Sequence, residues 1–294
     1  MDRLRLLETF IRIVERGSIS AAARDLDLSQ ASASRQLAQL EDRLGDTLVV
    51  RSTHALALTE AGERLLPDAR ALVAGWDALD DKADANGPLT GSVRAVVPIA
   101  LGQTILLPAL VRFQQSHPDL SVTWRLEDGD IRFAEEGCDL WIKVGRPRDE
   151  NLISRIVAEV ERIVVAAPAL PPAATPDALS QRPCLSLGPF EGTRLRLHGP
   201  DGKDIRLELS ARLATNDIRV THAAAREGLG FAVLPRWLAA SDLSEGRLVD
   251  YLPGWTAPRL SITLNYAPAS RTLRRMVALR DALETALRAG LSAS

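Results

Sequence analysis

The stretch that most constrains this chain is SAAARDLDLSQASASRQLAQLEDRLG, residues 20–45. In its second half Ala33, Leu37, Leu40 and Leu44 fall within one narrow stripe when placed at roughly 100° per residue. Ala31, Arg35, Ala38 and Asp42 lie opposite, flanked by Ser32, Ser34 and Gln39. Ser29 is a natural N-cap and Gly45 a natural stop, so the spacing predicts a helix over 30–44. Upstream, Leu4, Leu7, Ile11 and Val14 share one face of a first helix that Gly17 ends. Ser18 caps a second helix through AAARDL, whose alanines let neighbouring backbones approach, and DLSQ breaks the pattern. Two short helices, a tight turn and a third helix with a small, polar outer face form a helix-turn-helix pattern.

Such a third helix enters a major groove about 12 Å wide only if its outer residues are small where the backbone must approach. Here Gln30, Ser32, Ser34, Arg35 and Gln39 can donate to base edges and phosphates, and Ser29 starts the helix whose N-terminus favours phosphate. A three-helix packing module with a solvated polar face would carry the same pattern. Charge does not separate the two readings: residues 1–58 hold eight arginines and eight carboxylates. Any attraction to DNA must therefore come from placement rather than bulk charge. LVVRSTHALALT then offers two short β runs, near 47–51 and 55–58, as in a hairpin wing. Thr59 caps a long helix to about residue 84, in which Leu65, Ala69, Leu72, Trp76, Leu79 and Ala83 repeat every 3.5 residues. That seam fits a partner helix, although Pro67 should kink or loosen its first turns. NGPLTGS (86–92) has the composition of a hinge.

The remaining 200 or so residues alternate strand-like runs (SVRAVVPIA, LSVTWRLE, DLWIKVG, VERIVVAAP, FAVLP, ITLNYAP) with helical ones (LLPALVRFQQSHP, THAAAREGLG and the closing LRRMVALRDALETALRA). The alternation predicts α/β architecture with parallel sheets. A length of 294 residues allows about two domains, and no apolar run approaches the roughly 20 residues that span a bilayer. With no secretory signal, the chain reads as cytoplasmic and without a membrane partner. Its four histidines are scattered, and no nucleophile elbow, HExxH, phosphate loop or dinucleotide fingerprint occurs, so catalysis is not expected. Cys138 and Cys184 stand alone without metal-ligand spacing and read as small hydrophobes; no metal or cofactor is expected.

Residues 10–70 or so resemble the winged helix-turn-helix of LysR-type transcriptional regulators. The match is carried in order by Ser18, Ala22, Ala23, Leu26, Ser29, Gln30, Ser34, Leu40, Glu41, Gly45, Arg51, Leu58, Thr59, Ala61 and Gly62. It departs at Val49, where the family usually has Phe, and at His54, where the wing usually carries Arg. The resemblance extends through PIALGQTILLPALVRFQQSHPDLSVTW, EEGCDLWIKVG, ATNDIRVTHAAAREGLGFAVLP and GRLVDYLPGW. It implies a DNA-binding domain at 1–58, a dimerising linker helix and hinge at 59–91, and an effector-binding domain at 92–294. The last would have a two-lobed, periplasmic-binding-protein-like (type 2) fold, with lobe 1 at about 92–165 and 266–294 and lobe 2 at about 166–265. Arg51, Thr53 and His54 would extend the DNA contact through the wing, and Leu65, Ala69, Leu72, Trp76 and Leu79 would pair two chains. Ala100, Leu101, Gly102, Gln103, Thr104, Lys143 and Gly145 would face Leu187, Gly188, Asn216 and Asp217 across the effector cleft, where helix N-termini favour anions. Partners implied are double-stranded promoter DNA, a small-molecule effector, RNA polymerase, and further copies of the chain as a homodimer or homotetramer. The competing possibility is a solute-binding protein whose function lies in the C-terminal lobes.

Overall fold

In the computed structural model, which describes residues 2–51, 56–83, 87–188 and 194–292, three helices open the chain. They are α1 (Arg3–Arg16), α2 (Ile19–Asp25) and α3 (Gln30–Leu44), followed by the antiparallel pair β1 (Val49–Arg51) and β2 (Leu56–Leu58). Their boundaries follow the caps. Ser18 Oγ accepts from Ala21 N at 3.4 Å, Ser29 Oγ accepts from Ser32 N at 3.1 Å, and Gly17 and Gly45 close α1 and α3 with positive φ. Phe10, Ile13, Ala22, Ala33, Leu37 and Leu40 form the small core between them. Leu44, expected in the same stripe, instead lies exposed at the end of α3. The stripe also runs through a polar residue: buried Gln36 accepts from Thr9 Oγ1 at 2.5 Å, which satisfies both groups away from water.

The linker helix α4 (Glu60–Ala83) starts under the Thr59 cap, whose Oγ1 accepts from Gly62 N at 3.0 Å, and continues unbroken through Pro67. Leu66 and Ala69 are fully buried in the DNA-binding core, with Leu65 packed at its edge. Ala74 and Ala78 pack on the next domain.

Among the described residues, that domain is built on one 11-stranded sheet. Its first part is β3 (Gly91–Val97), α5 (Ile99–Leu101) running through a π-turn (Gly102–Leu106) into α6 (Leu107–Ser116), β4 (Leu120–Leu126) and β5 (Leu140–Val144). The long strand β6 (Ile153–Ala166) leads into β7 (Cys184–Leu187), the hairpin β8 (Arg194–His198) and β9 (Asp204–Glu208), β10 (Ala211–Thr215) and α7 (Ile218–Arg226). β11 (Phe231–Pro235), α8 (Arg236–Ser244), β12 (Val249–Asp250), the long β13 (Thr256–Tyr266) and α9 (Arg274–Ser292) complete the chain. Strands β4, β3 and β5 are parallel, as are β11, β7 and β10. The parallel pairing expected from sequence holds within these triplets but not between them. β6 and β13 run antiparallel to each other and join the two parallel triplets, so the sheet is mixed. Each triplet carries its own core: α9 covers the first through Met276, Leu279, Leu283 and Leu287, and the second is packed on both faces. Two lobes therefore meet along β6 and β13.

Candidate functional site

Two surfaces bring together the residues singled out by sequence. The first is the outer face of α3. Seated on Ala33, Leu37 and Leu40, the helix leaves Ser29, Gln30 and Arg35 exposed and Ser32, Ser34 and Gln39 half-exposed. Its N-terminal hydroxyls are mutually ordered: Ser29 Oγ donates to Ser32 Oγ at 2.8 Å, and Arg35 Nη2 donates to the same Ser32 Oγ at 3.4 Å. Among the described residues Arg35 has no ion-pair partner, and its guanidinium rests on the Ser32 hydroxyl. Arg5 of α1 borders the same face beside Arg35, Gln39 and Asp42. Sequence reasoning missed Arg5, because the face it joins belongs to another helix. Arg51 lies in β1, whereas Thr53 and His54 fall outside the described residues. Glu41 ties α3 to the wing: its Oε1 accepts from Leu48 N at 2.8 Å and from Val49 N at 3.4 Å.

The second surface is a cavity of about 360 Å³ between the lobes. From lobe 1 it is lined by Ala100, Leu101 and Lys143, and from lobe 2 by Leu187, Gly188, Asn216 and Asp217. Gly102, Gln103, Thr104 and Gly145 do not line it. Thr104 Oγ1 instead donates to Ala100 O within its own helix, and Gly145 N donates to Ser261 O. Gln103 reaches across the lobes, its Oε1 accepting from Arg219 Nη1. The apolar wall comes mainly from the long strands, through Val160, Leu260 and Ile262, with Trp237 of α8. Sequence reasoning also passed over the loop after β4, which supplies Glu127, Asp128 and Asp130. Asp128 is held above the usual carboxylate range, first by partial burial and then by the nearby Asp217 and Glu127 carboxylates.

That same loop runs on to the DNA-binding domain. Glu15 of α1, with a side chain 9% exposed, accepts from Arg70 of α4 at 3.2 Å and pairs with Arg94 of β3 at 2.5 Å. Arg70 also donates to Ala134 O, and Arg94 to Gly137 O at 3.5 Å. Asp139, at the loop's far end, accepts from Arg94 N at 2.8 Å. Arg275 of α9 pairs with Asp77 of α4 at 2.6 Å, a second tie between linker and lobe 1. Residues 127–139 therefore touch the cavity at one end and the helix-turn-helix at the other.

On the linker, Leu72, Trp76 and Leu79 are 61%, 52% and 57% exposed, a row at i, i+4 and i+7. Leu65 and Ala69, placed in the same seam from sequence, face their own domain instead, because the first turns of α4 close the DNA-binding core. Both cysteines are buried and in no disulfide; burial pushes the Cys138 thiol up, and its Sγ donates to Leu140 O at 3.2 Å. Among the described residues no group of His, Cys, Asp and Glu could hold a metal ion, and no helix is long and apolar enough to cross a membrane.

Residues 4–63 match the family model for the bacterial regulatory helix-turn-helix protein, lysR family, and residues 86–288 match the LysR substrate binding domain. The regulator PtxR of Pseudomonas aeruginosa is 30% identical over 278 residues, covering 90% of this chain and 87% of that protein. The probable regulator LtrA of Klebsiella pneumoniae is 29% identical over 254 residues, or 85% and 82% of the two chains. The full-length virulence activator AphB of Vibrio cholerae, a member of the LTTR protein family, superposes with a TM-score of 0.61 at 25% identity, covering 96% of this chain and 98% of its own. Proteins of this family bind promoter DNA and small-molecule effectors, act as oligomers and are not enzymes. With both family models matched in order and the winged helix-turn-helix joined to a two-lobed domain, the chain belongs to the LysR family and is a DNA-binding transcriptional regulator.

Proposed function

We propose that this regulator works in the cytoplasm as a homodimer, or a dimer of dimers, on an inverted repeat in promoter DNA, with RNA polymerase as a further partner. Gln30, Ser32, Ser34, Arg35 and Gln39 read the major groove, Ser29 and Arg51 with Thr53 and His54 of the wing hold the backbone, and the effector occupies the interlobe cavity. One observation carries the reading: α3 buries one apolar stripe in its own domain and leaves an outer face of small and polar residues with no element of the described residues packed over it. Two such helices can serve two half-sites if two chains pair through the exposed Leu72–Trp76–Leu79 row of α4. A DNase footprint on the region upstream of the regulator's own gene tests this. The expected pattern is two protected half-sites spaced by multiples of about 10–10.5 base pairs. Trp76→Asp with Leu79→Asp is expected to leave a monomer by analytical ultracentrifugation and to erase the paired protection. A monomeric wild type giving the same footprint would overturn the pairing.

A further inference from the structure

A cleft flanked by helix N-termini should welcome an anion, yet in this chain those positions are already filled by its own carboxylates. Asp128 Oδ1 accepts from Ile99 N at 3.0 Å, at the start of α5, and Asp217 Oδ1 accepts from Arg219 N at 2.7 Å, at the start of α7. Other backbone donors around the cavity are also engaged: Gly129 N on Glu127 Oε1 at 3.0 Å, Gly188 N on Thr215 O at 2.9 Å and Asp217 N on Thr215 Oγ1 at 3.1 Å. The cations are no freer. Lys143 Nζ lies 2.6 Å from Asp130 Oδ1, and Arg162 donates from Nε and Nη2 to Pro258 O at 2.9 and 2.8 Å.

Four carboxylates therefore line the cavity against two cations that both have partners. Each of Asp128 and Asp217 spends one oxygen's lone pair on a cap and keeps its remaining acceptor capacity. An anionic group entering here would meet four carboxylates, and the two lining cations already donate to Asp130 and to Pro258 O. A protonated nitrogen would meet Asp128 and Asp217, which pair with no cation among the described residues. Most of the remaining wall, including Val144, Val160, Val233, Leu260 and Ile262, is hydrocarbon and accepts an apolar body.

We infer that the effector is a small molecule with an apolar body and one protonated nitrogen, and that the nitrogen lies between the Asp128 and Asp217 carboxylates. The inference rests on the reading of the interlobe cavity as the effector site. It also reverses the anion preference that helix N-termini alone suggest: those N-termini have been converted into the fixed ends of an acidic clamp.

The test uses the full-length protein and matched probes that differ only in the polar end: 2-phenylethylamine, 2-phenylethanol and phenylacetate, with their cyclohexyl counterparts. Binding is measured by calorimetry and by thermal shift. The amines are expected to bind at least tenfold more tightly than the alcohols, and the carboxylates most weakly. Asp128→Asn with Asp217→Asn keeps a side-chain oxygen on each cap and removes both charges. This variant is expected to fold as the wild type does, by circular dichroism, and to lose the amine preference. Ala100→Trp, which fills the cavity, should abolish binding of all three classes. Carboxylates binding better than amines would overturn the inference and leave the cavity as effector site. Amine binding that survives the double Asn variant would also overturn it. Binding of every class undiminished by Ala100→Trp, or no binding by any class, would overturn the reading of the cavity and the inference with it.

Discussion

Removing the Glu15 carboxylate should uncouple the DNA-binding domain from lobe 1. The side chain is 9% exposed, and its partners Arg70 and Arg94 are 20% and 21% exposed. Breaking one partner out of a fully buried ion pair costs about 3–5 kcal/mol, whereas fully exposed pairs contribute about 0–1 kcal/mol. The cluster sits between these limits, which gives about 2 kcal/mol for Glu15→Ala. The direction is set by what remains. Arg70 and Arg94 keep the Ala134 and Gly137 carbonyls but lose the anion that separates two neighbouring guanidinium groups. Burial already pushes the Arg70 guanidinium down, and Glu15 is the leading group that opposes this. The assay is a double-mutant cycle by urea denaturation on wild type, Glu15→Ala, Arg94→Ala and the double variant. A coupling of about 1–2 kcal/mol is expected, because the pair is direct and largely desolvated. Costs that add to within about 0.5 kcal/mol would refute the reasoning and leave the contact between domains without energetic weight.

Three further outcomes follow from particular packing. Gly62 lies where a Cβ would collide with Leu48 O and stand 2.8 Å from Leu58 Cδ2, so Gly62→Ala should lower stability by more than about 1 kcal/mol despite alanine's helix preference; a higher melting temperature would contradict this. In lobe 2, burial raises Asp242, but Arg247, His222 at 2.6 Å and Arg226 at 3.3 Å outweigh it and hold the carboxyl below its usual value. A depressed folded value stabilises the protein at pH above about 4, and this stabilisation is lost as pH falls further. Asp242→Asn is therefore expected to cost about 2–3 kcal/mol at pH 7, and the gap from wild type to narrow below pH 4 in urea titrations; a gap independent of pH would count against it. Finally, Thr9→Val leaves buried Gln36 without its 2.5 Å donor and should cost about 1–2 kcal/mol, read from the same titrations.

Much of this was legible because it is local. The bounds of α3 follow from Ser29, Gly45 and the spacing of Ala33, Leu37 and Leu40, all within 17 residues. The wing and linker cap were equally readable from LVV, LAL and Thr59. What escaped depends on distant partners. Glu15 meets Arg70 and Arg94, 55 and 79 positions away, and nothing in VERGS distinguishes it from a solvated helix carboxylate. Leu65 and Ala69 fit a 3.5-residue seam as well as Leu72 and Trp76 do; only the packing of α4 against α1 and the wing assigns them inward. The antiparallel β6–β13 pair was hidden because alternating helices and strands say nothing of a strand long enough to belong to both lobes. That the α5 N-terminus is already capped was hidden for a similar reason: Asp128 lies 29 positions from the Ile99 N–H that it caps. Lys143 and Asp217 were placed at the cavity, but the pairing that neutralises Lys143 was not visible in IKVG.

The central claim is that the outer face of α3 reads DNA sequence, and Arg35 is the residue on which it is most exposed to test. Fluorescence anisotropy with the protected upstream duplex, at fixed salt, compares wild type and Arg35→Ala on the native site and on variants with one base pair changed in each half-site. Removal of a guanidinium that contacts a base edge is expected to weaken native-site binding by about 1–3 kcal/mol, roughly five- to 150-fold, and to relax discrimination at one position in each half-site. Equal affinity and equal base preference for both proteins would contradict the claim.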